Sequence, residues 1–496
     1  MGTQTIGAVK VRRADRPSVL ENLLYTATGS LAQRVLSSLG QLYLARVLGP
    51  AVFAAVSYPA AVLTYAGIPV AWGADIVGMR EVSREPRNAR EIYARLTAYR
   101  LMLAALVVPL MVLYGWRVAP AIQLKWLTGI YAVQLIAFAV SPGFALCGLE
   151  KMGTQAAIST GVALFQMVGF AVAVHREGDL GVAVSIIVAG PFLLAIASQL
   201  SLGWRLGADL RLFDWSGFRG FLRQGAPIVS IWLASGVSMN ADLLMAARYG
   251  VGAELGIYAV AWKVRAMLMS GNSIIQSAIM PRLAAGDERS AAPLHAAMIA
   301  IEGTIGLLLG GALILAGGPL ARLMLGKAYA GSGPVLSAIG VHLAAMYTVQ
   351  AVVNPLMVWG RHNDAVIIYA TSALCSGGGG LIGGALAGVL GIAIGIAAGE
   401  IVGLIAALMM FADLRHSLAA VSNRMPCAVA ASLAVACAAA QTIPMEDALA
   451  FQLAVRMVLF LAAMLAALRL TGLPHIRCLI AELKTCTVRR PEVLPT

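Results

Sequence analysis

The chain has 496 residues, of which 60% are hydrophobic and only 12% charged, and its formal net charge is +13. A soluble globular domain carries roughly 25% charged residues, so this chain lacks the polar surface to face water on all sides. The basic residues are scattered among short loops and form no domain that could hold a duplex, which argues against nucleic acid as a partner.

Apolar stretches recur along nearly the whole chain, each long enough to cross roughly 30 Å of hydrocarbon as a helix. Continuous runs such as Leu381 to Gly399 lack the two-residue alternation of a membrane barrel, so the spans are expected to be helical. A polar, basic tail over 1–19 comes first. Predicted spans then cover 20–47, 51–79, 93–115, 122–147, 153–174, 180–204, 224–247, 256–281, 293–316, 334–359, 365–387, 391–412, 425–443 and 451–471, about fourteen in all. The first span lacks a small-residue cleavage pattern and is expected to stay as an anchor.

Alternate loops are basic. Arg12, Arg13 and Arg16 precede the first span, and Arg80, Arg84, Arg87, Arg90 and Arg95 follow the second. Arg205, Arg211, Arg219 and Arg223 follow the sixth, and Arg361, Arg415 and Arg424 follow later even-numbered spans. The positive-inside rule then places both termini in the cytoplasm.

A polar linker over 205–223 separates a first lobe (20–204) from a second (224–413). Two added helices (414–471) and a cytoplasmic tail (472–496) follow. The lobes echo one another. Ala45-Arg46, Gly49 and Tyr58 recur as Ala247-Arg248, Gly250 and Tyr258, and Pro142 to Gly148 is answered by Pro355 to Gly360-Arg361. Two six-helix lobes in the same membrane orientation are the implied architecture.

Polar groups inside a span are costly and are expected to face a cavity or a partner. Asn22, Thr26, Ser30, Gln33, Ser37 and Gln41 share one face of the first span, with Arg34 beside them roughly 20 Å from the helix start. Tyr258, Trp262, Arg265, Asn272 and Gln276, with Lys263 alongside, make a second stripe on the eighth span, and Ser235, Ser238 and Asp242 a shorter one on the seventh. For the Ser and Thr positions, helix-to-helix contact is the simpler reading. Lys263 and Arg265 lie near enough to a span end to snorkel. If Arg34, Lys263 and Arg265 face one wet cavity, with Gln33, Asn272 and Gln276 as further polar contacts, that cavity attracts an anion, and Arg suits phosphate oxygens. The acids Asp75, Asp242, Glu302 and Glu400 are open to two roles, ion pairing or binding of a coupling proton or sodium ion. Tyr58, Tyr65 and Trp72 repeat every seven residues and offer faces for sugar rings, although such stripes are commonly packing. Gly67 and Pro69 are expected to kink their span.

The six cysteines form no C-x-x-C pair, His342 and His362 have no partner at metal-ligand spacing, and no metal site is expected. No phosphate loop is present, and the glycine run Gly377 to Gly380 reads as a close helix contact.

Leu42 to Pro50 (LYLARVLGP), Gly148 to Met152 (GLEKM), Gly256 to Val264 (GIYAVAWKV) and Gly326 to Gly340 (GKAYAGSGPVLSAIG) resemble pieces of the Wzx-like flippases. These form the polysaccharide-transporter branch of the multidrug/oligosaccharidyl-lipid/polysaccharide (MOP) exporter superfamily, and the resemblance extends over roughly 20–415. It implies an all-α integral membrane protein, a MATE-like V-shaped bundle of two six-helix lobes plus two C-terminal helices. It also implies alternating access and a polyprenyl-diphosphate-linked oligosaccharide moved from the cytoplasmic to the periplasmic leaflet of a bacterial inner membrane. Exopolysaccharide (xanthan among others), capsule and O-antigen systems all fit, with membrane lipids, a polysaccharide polymerase and export proteins as the implied partners. No cofactor and no enzymatic activity are expected. Two rival readings are a cation-coupled drug exporter of the same superfamily, which needs an acidic cavity, and a membrane glycosyltransferase or polymerase, which needs larger polar loops.

Overall fold

A computed structural model describes residues 19–203, 213–285 and 290–410, together with 455, 458 and 460–462. The expected tails, most of the two added helices and the side chains of Asn22, Thr26, Ser235 and Ser238 lie outside the described residues. Thirteen α-helices are present among the described residues: α1 (Val19–Ala71), α2 (Ala74–Arg84), α3 (Ala89–Val118), α4 (Ile122–Ala132), α5 (Gln134–Val140), α6 (Gly143–Gly148), α7 (Met152–Ala173), α8 (Leu180–Ser201), α9 (Trp215–Tyr249), α10 (Ala253–Ala285), α11 (Ala292–Leu325), α12 (Gly333–Val358) and α13 (His362–Met410).

Two of these helices are double crossings. The 53-residue α1 contains Gly49 at φ 69°, a left-handed conformation that glycine adopts without a Cβ penalty, and Pro50 restarts the helix there. The first half of α1 runs beside α10 and the second half beside α9. In α13 the turn falls at Ala387–Gly388, and its two halves meet along a seam where Gly379, Gly383, Gly391, Gly395 and Gly399 leave no room for a Cβ. Lipid-embedded helices use such small-residue seams to approach closely. Eight helical stretches among the described residues, these two included, are long and apolar enough to cross a membrane. Helices α9 and α10, of 35 and 33 residues, are as long but carry the polar stripes. Large apolar side chains stand outward, as with Leu386 at 81% and Leu374 at 76% exposure, which a surface facing lipid tolerates and one facing water does not. At the linker, Asp214 caps α9 by accepting from the backbone N–H of Ser216 and Gly217, and the Ser216 hydroxyl and these amides hold its carboxyl below the usual range.

Prolines shape both lobes, not always where the sequence placed the effect. α1 continues through Gly67 and Pro69 to Ala71 and breaks at Trp72 (φ 41°) and Gly73 (φ 73°). Trp72 is held there by its indole N–H, which donates to the Leu222 carbonyl at 2.9 Å, and by close packing of its backbone on Gly225. The fourth predicted span, read as continuous over 122–147, is divided into α4, α5 and α6.

The last of those breaks follows from Pro142, which has no N–H to give the Phe138 carbonyl one turn back. Backbone groups in lipid must be satisfied inside the protein. Here the Arg100 guanidinium, buried on α3, donates to the carbonyls of Phe138 and Ser141, while Tyr93 and Gln199 each donate to Val140 O at 2.8 Å. The second lobe repeats the device. Pro355 leaves the Ala351 carbonyl without its helical donor, and His295 Nε2 lies 3.2 Å from that oxygen. The turns that follow also correspond, because Lys151 N bonds Leu146 O and Arg361 N bonds Leu356 O, both at 2.8 Å. A left-handed residue precedes each, Glu150 at φ 61° and Gly360 at φ 77°.

Replacing Arg100 with Met is expected to take a donor from two part-buried carbonyls, of which that of Phe138 keeps the Ser141 N–H at 3.4 Å, and to lower stability by about 1–3 kcal/mol. Thermal unfolding in detergent checks this. Arg100→Lys should recover part of the loss, and equal stability of parent and Arg100→Met would show that the carbonyls are satisfied by other means.

Candidate functional site

The polar stripes of α1 and α10 meet between the two halves of the chain. They line a partly open cavity of about 510 Å³ formed by Gln33, Arg34, Ser37, Ser38 and Gln41 from α1, by residues of α10 from Lys263 to Gln276, and by Met346 and Gln350 from α12. Arg34 and Lys263 both lie on its wall, and Arg34 donates across the cavity edge to the Ser270 carbonyl at 3.2 Å. Lys263 stacks over the Trp262 ring, its ammonium 4.9 Å from the centroid. No aspartate or glutamate lines the cavity among the described residues.

Arg265 departs from the expectation of an open anion binder. Its backbone contributes to the same wall, but its side chain is 3% exposed and its Nη1 lies 2.7 Å from Asp242 Oδ2. Tyr258 O–H donates to the same carboxylate oxygen at 3.0 Å, and Arg265 Nη1 also contacts His342 Nδ1 at 2.9 Å. An ion pair this deep is balanced internally, so the positive field of the cavity comes from Arg34 and Lys263. Proximity in sequence hid this, since Asp242 and Arg265 sit on different helices and meet only when α9 and α10 fold into a hairpin.

The other expected site residues are dispersed. Gln33 and Gln276 line the cavity, whereas Asn272 is fully buried behind it and donates to Gln350 Oε1 at 2.7 Å. Asp75 is exposed at the arginine-rich end, near the start of α2. Glu400 lies buried with its Oε2 3.9 Å from His342 Nε2, and Glu302 is buried among amides on α11. The aromatic stripe does not face the cavity as a set. Tyr58 belongs to the buried core, while Tyr65 O–H and Trp72 Nε1 donate to the carbonyls of Gly236 and Leu222, tying α1 to α9. Sequence reasoning missed Gln350 and Met346 on α12, and Arg100, whose signal is an arginine inside α3 opposite a proline-containing span.

Contacts between the two halves are made at both ends of the bundle. At the Gly49 end, Gly256 packs on the Pro50 carbonyl with no space for a Cβ, Tyr329 O–H donates to Ala45 O at 2.9 Å, and Arg46 Nη1 donates to Met324 O at 3.2 Å. At the arginine-rich end, Trp72 contacts Leu222 and Gly225, and Arg80 Nη2 donates to Gln224 Oε1 at 2.8 Å. Each set consists of a few side chains and one tight backbone approach, which separation of two helix pairs would undo.

A bundle of paired helix sets with a partly open cavity between them is the fold of a polytopic membrane protein, and solved structures carry the same architecture. The lipid II flippase MurJ in its inward closed conformation superposes with a TM-score of 0.71 at 13% identity, over 92% of this chain and 100% of that one. A multidrug resistance MATE family transporter of the MOP superfamily matches in its inward-facing conformation, with a TM-score of 0.58 at 17% identity, over 77% of this chain and 96% of that one. An outward-facing MATE transporter matches with a TM-score of 0.53 at 14% identity, over 81% and 95%. Curated protein sequences give no match. The family model of polysaccharide biosynthesis proteins matches residues 19–286, more than half of the chain, and the protein belongs to that family.

Because Asp242 and Arg265 are buried together, Arg265→Met alone should strand a carboxylate and cost about 3–5 kcal/mol. The double variant Asp242→Asn/Arg265→Met should be markedly more stable than Arg265→Met in thermal unfolding. Additive losses would mean that the two charges do not depend on each other.

Proposed function

We propose that this protein is a flippase that carries a polyprenyl-diphosphate-linked oligosaccharide from the cytoplasmic to the periplasmic leaflet of the bacterial inner membrane, for assembly of an extracellular polysaccharide. The observation that carries this reading is a cavity between the lobes with Arg34 and Lys263 on its wall and, among the described residues, no carboxylate there. A diphosphate cannot enter hydrocarbon bare, since each unpartnered polar group costs several kcal/mol. The two cations, the amides of Gln33, Gln41, Gln276 and Gln350 and the hydroxyls of Ser37 and Ser38 would replace water around it. Membership of the polysaccharide biosynthesis family supports a saccharide cargo. A drug exporter for organic cations is disfavoured by the sign of the wall charge.

The volume of about 510 Å³ suits a diphosphate with its first sugar, so the rest of a repeat unit needs the lobes to part at one end. The polyprenyl chain would remain in lipid between the lobes. The arginine-rich end is taken as cytoplasmic by the positive-inside rule, and its basic residues would gather anionic head groups at the loading side. The reaction is movement alone, with no bond made or broken.

Flipping of a fluorescent lipid-diphosphate oligosaccharide in proteoliposomes is expected to fall at least about tenfold in Arg34→Ala and in Lys263→Ala, a loss of about 1.4 kcal/mol in binding each. Arg34→Lys should retain more activity than Arg34→Ala. Parental rates in both folded alanine variants would rule out the anion cavity.

Alternating access is tested at the arginine-rich end, where a Cβ placed on Gly73 would lie 3.3 Å from that of Ile228, close to disulfide spacing. Oxidising a Gly73→Cys/Ile228→Cys pair should stop transport and reduction should restore it, with neither single variant responding to oxidant. Unimpaired flipping by the cross-linked protein would mean that this closure does not open during transport.

A further inference from the structure

Behind the cavity wall, α10, α11, α12 and α13 bury a chain of amides that ends on one acid. Gln276, on the wall, donates its Nε2 to Glu302 Oε2 at 3.3 Å and accepts at its Oε1 from Asn354 Nδ2 at 2.6 Å. Tyr369 O–H donates to Asn354 Oδ1 at 2.9 Å. Asn272, a hydrogen-bonding neighbour of the same carboxyl, donates its Nδ2 to Gln350, the second amide on the wall, at 2.7 Å. Glu302 and Asn272 are fully buried, and one oxygen of each, Glu302 Oε1 and Asn272 Oδ1, has no hydrogen-bond partner.

The other two deeply buried acids of the second lobe have basic neighbours, Asp242 in Arg265 and Glu400 in His342. The groups that face Glu302 are different. They are the amides Asn272 and Gln276 from α10, Tyr347 from α12, whose hydroxyl is given to Leu268 O, and Tyr369 from α13. The field of Glu400 on α13 reaches the same Tyr369. Among the described residues no lysine, arginine or histidine acts on this carboxyl. An ionised carboxylate in such a place is strongly disfavoured unless a cation joins it. One proton on Oε1 removes the charge and turns an oxygen that accepts no hydrogen bond into an O–H donor, in a cluster where the neighbouring Asn272 has an amide oxygen without a donor.

We propose that Glu302 is a proton-binding site whose occupancy is read out in the transport cavity through Gln276 and through Asn272 and Gln350. When Glu302 is ionised, it holds the Nε2 group of Gln276 away from the cavity. When a proton from the cavity water binds, the carboxyl no longer needs that donor, and Gln276 can turn it toward an anion. Proton and anionic cargo then favour each other's binding, and the coupling is reciprocal. The cargo half of this statement rests on the flippase reading; the proton site does not.

Infrared difference spectroscopy of the full-length protein in nanodiscs, between acid and alkaline buffer, tests the site directly. A band from a buried protonated carboxyl is expected in the parent, lost in Glu302→Gln, shifted in frequency in Glu302→Asp, and retained in Asp242→Asn and Glu400→Gln. Persistence of the band at parental intensity in Glu302→Gln, or its loss in Glu400→Gln, overturns the proposal. Sodium chloride titrated at fixed pH provides a second arm. Loss of the band on adding sodium in the parent would assign a metal cation to the site and overturn the proton reading.

In proteoliposomes, the ratio of flipping rates with and without an imposed pH gradient should fall to unity in Glu302→Gln, and an unchanged ratio overturns the coupling. If the parent shows the Glu302 band but flips no lipid-diphosphate oligosaccharide, the cargo assignment fails while the proton site stands.

Discussion

Hydrocarbon offers no hydrogen bonds, so every buried donor, acceptor and charge in this chain must find its partner within the chain. That constraint explains the positions of its polar residues better than any single interaction does. Pro142 and Pro355 each free a carbonyl in a membrane helix, and in both lobes a basic side chain of the neighbouring long helix, Arg100 or His295, approaches it. Asp242 is matched by Arg265 and Tyr258. The internal repeat is therefore a repeat of solved backbone problems as much as of residues, and Lys151 and Arg361 close corresponding turns with equivalent bonds.

The cavity is the place where this matching is loosest. Arg34, Lys263 and four glutamines converge there without a carboxylate on the wall among the described residues, which is the basis of the proposed anionic cargo. The two ends of the bundle are joined by contacts of different make. One is a tight backbone approach between Gly256 and Pro50, and the other centres on Trp72, which holds a left-handed backbone against α9. The second is the more strained, because a bulky residue at positive φ persists only when its surroundings hold it. In an alternating-access cycle of the kind proposed, separation at that end would release the strain at Trp72.

Glu302 joins these two themes. It lies where matching by a basic group fails, and it is one amide away from the cavity. Under the proposed proton site, a carboxyl in that position would convert proton occupancy into the orientation of wall amides, a physical route by which a gradient would act on cargo binding without a separate energy-transducing domain.

Much of the fold was legible in the residues themselves. Long apolar runs, the glycine at position 49 and the echo between Pro142 and Pro355 are local signals, because hydropathy, helix breaking and left-handed turns depend on the residue and its immediate neighbours. The stripes of α1 and α10 were equally readable, since helical periodicity assigns residues to a face. What sequence could not decide is which face meets what. Arg265 and Lys263 are two residues apart, yet one is sealed against Asp242 and the other lines the cavity. Tyr65 and Trp72 tie lobes together, although their spacing equally suited a sugar surface. The function of a charge or ring in lipid is set by the groups within about 3 Å of it. Those groups come from helices tens to hundreds of residues away, so only the tertiary packing of α1 against α9 and α10 could settle them.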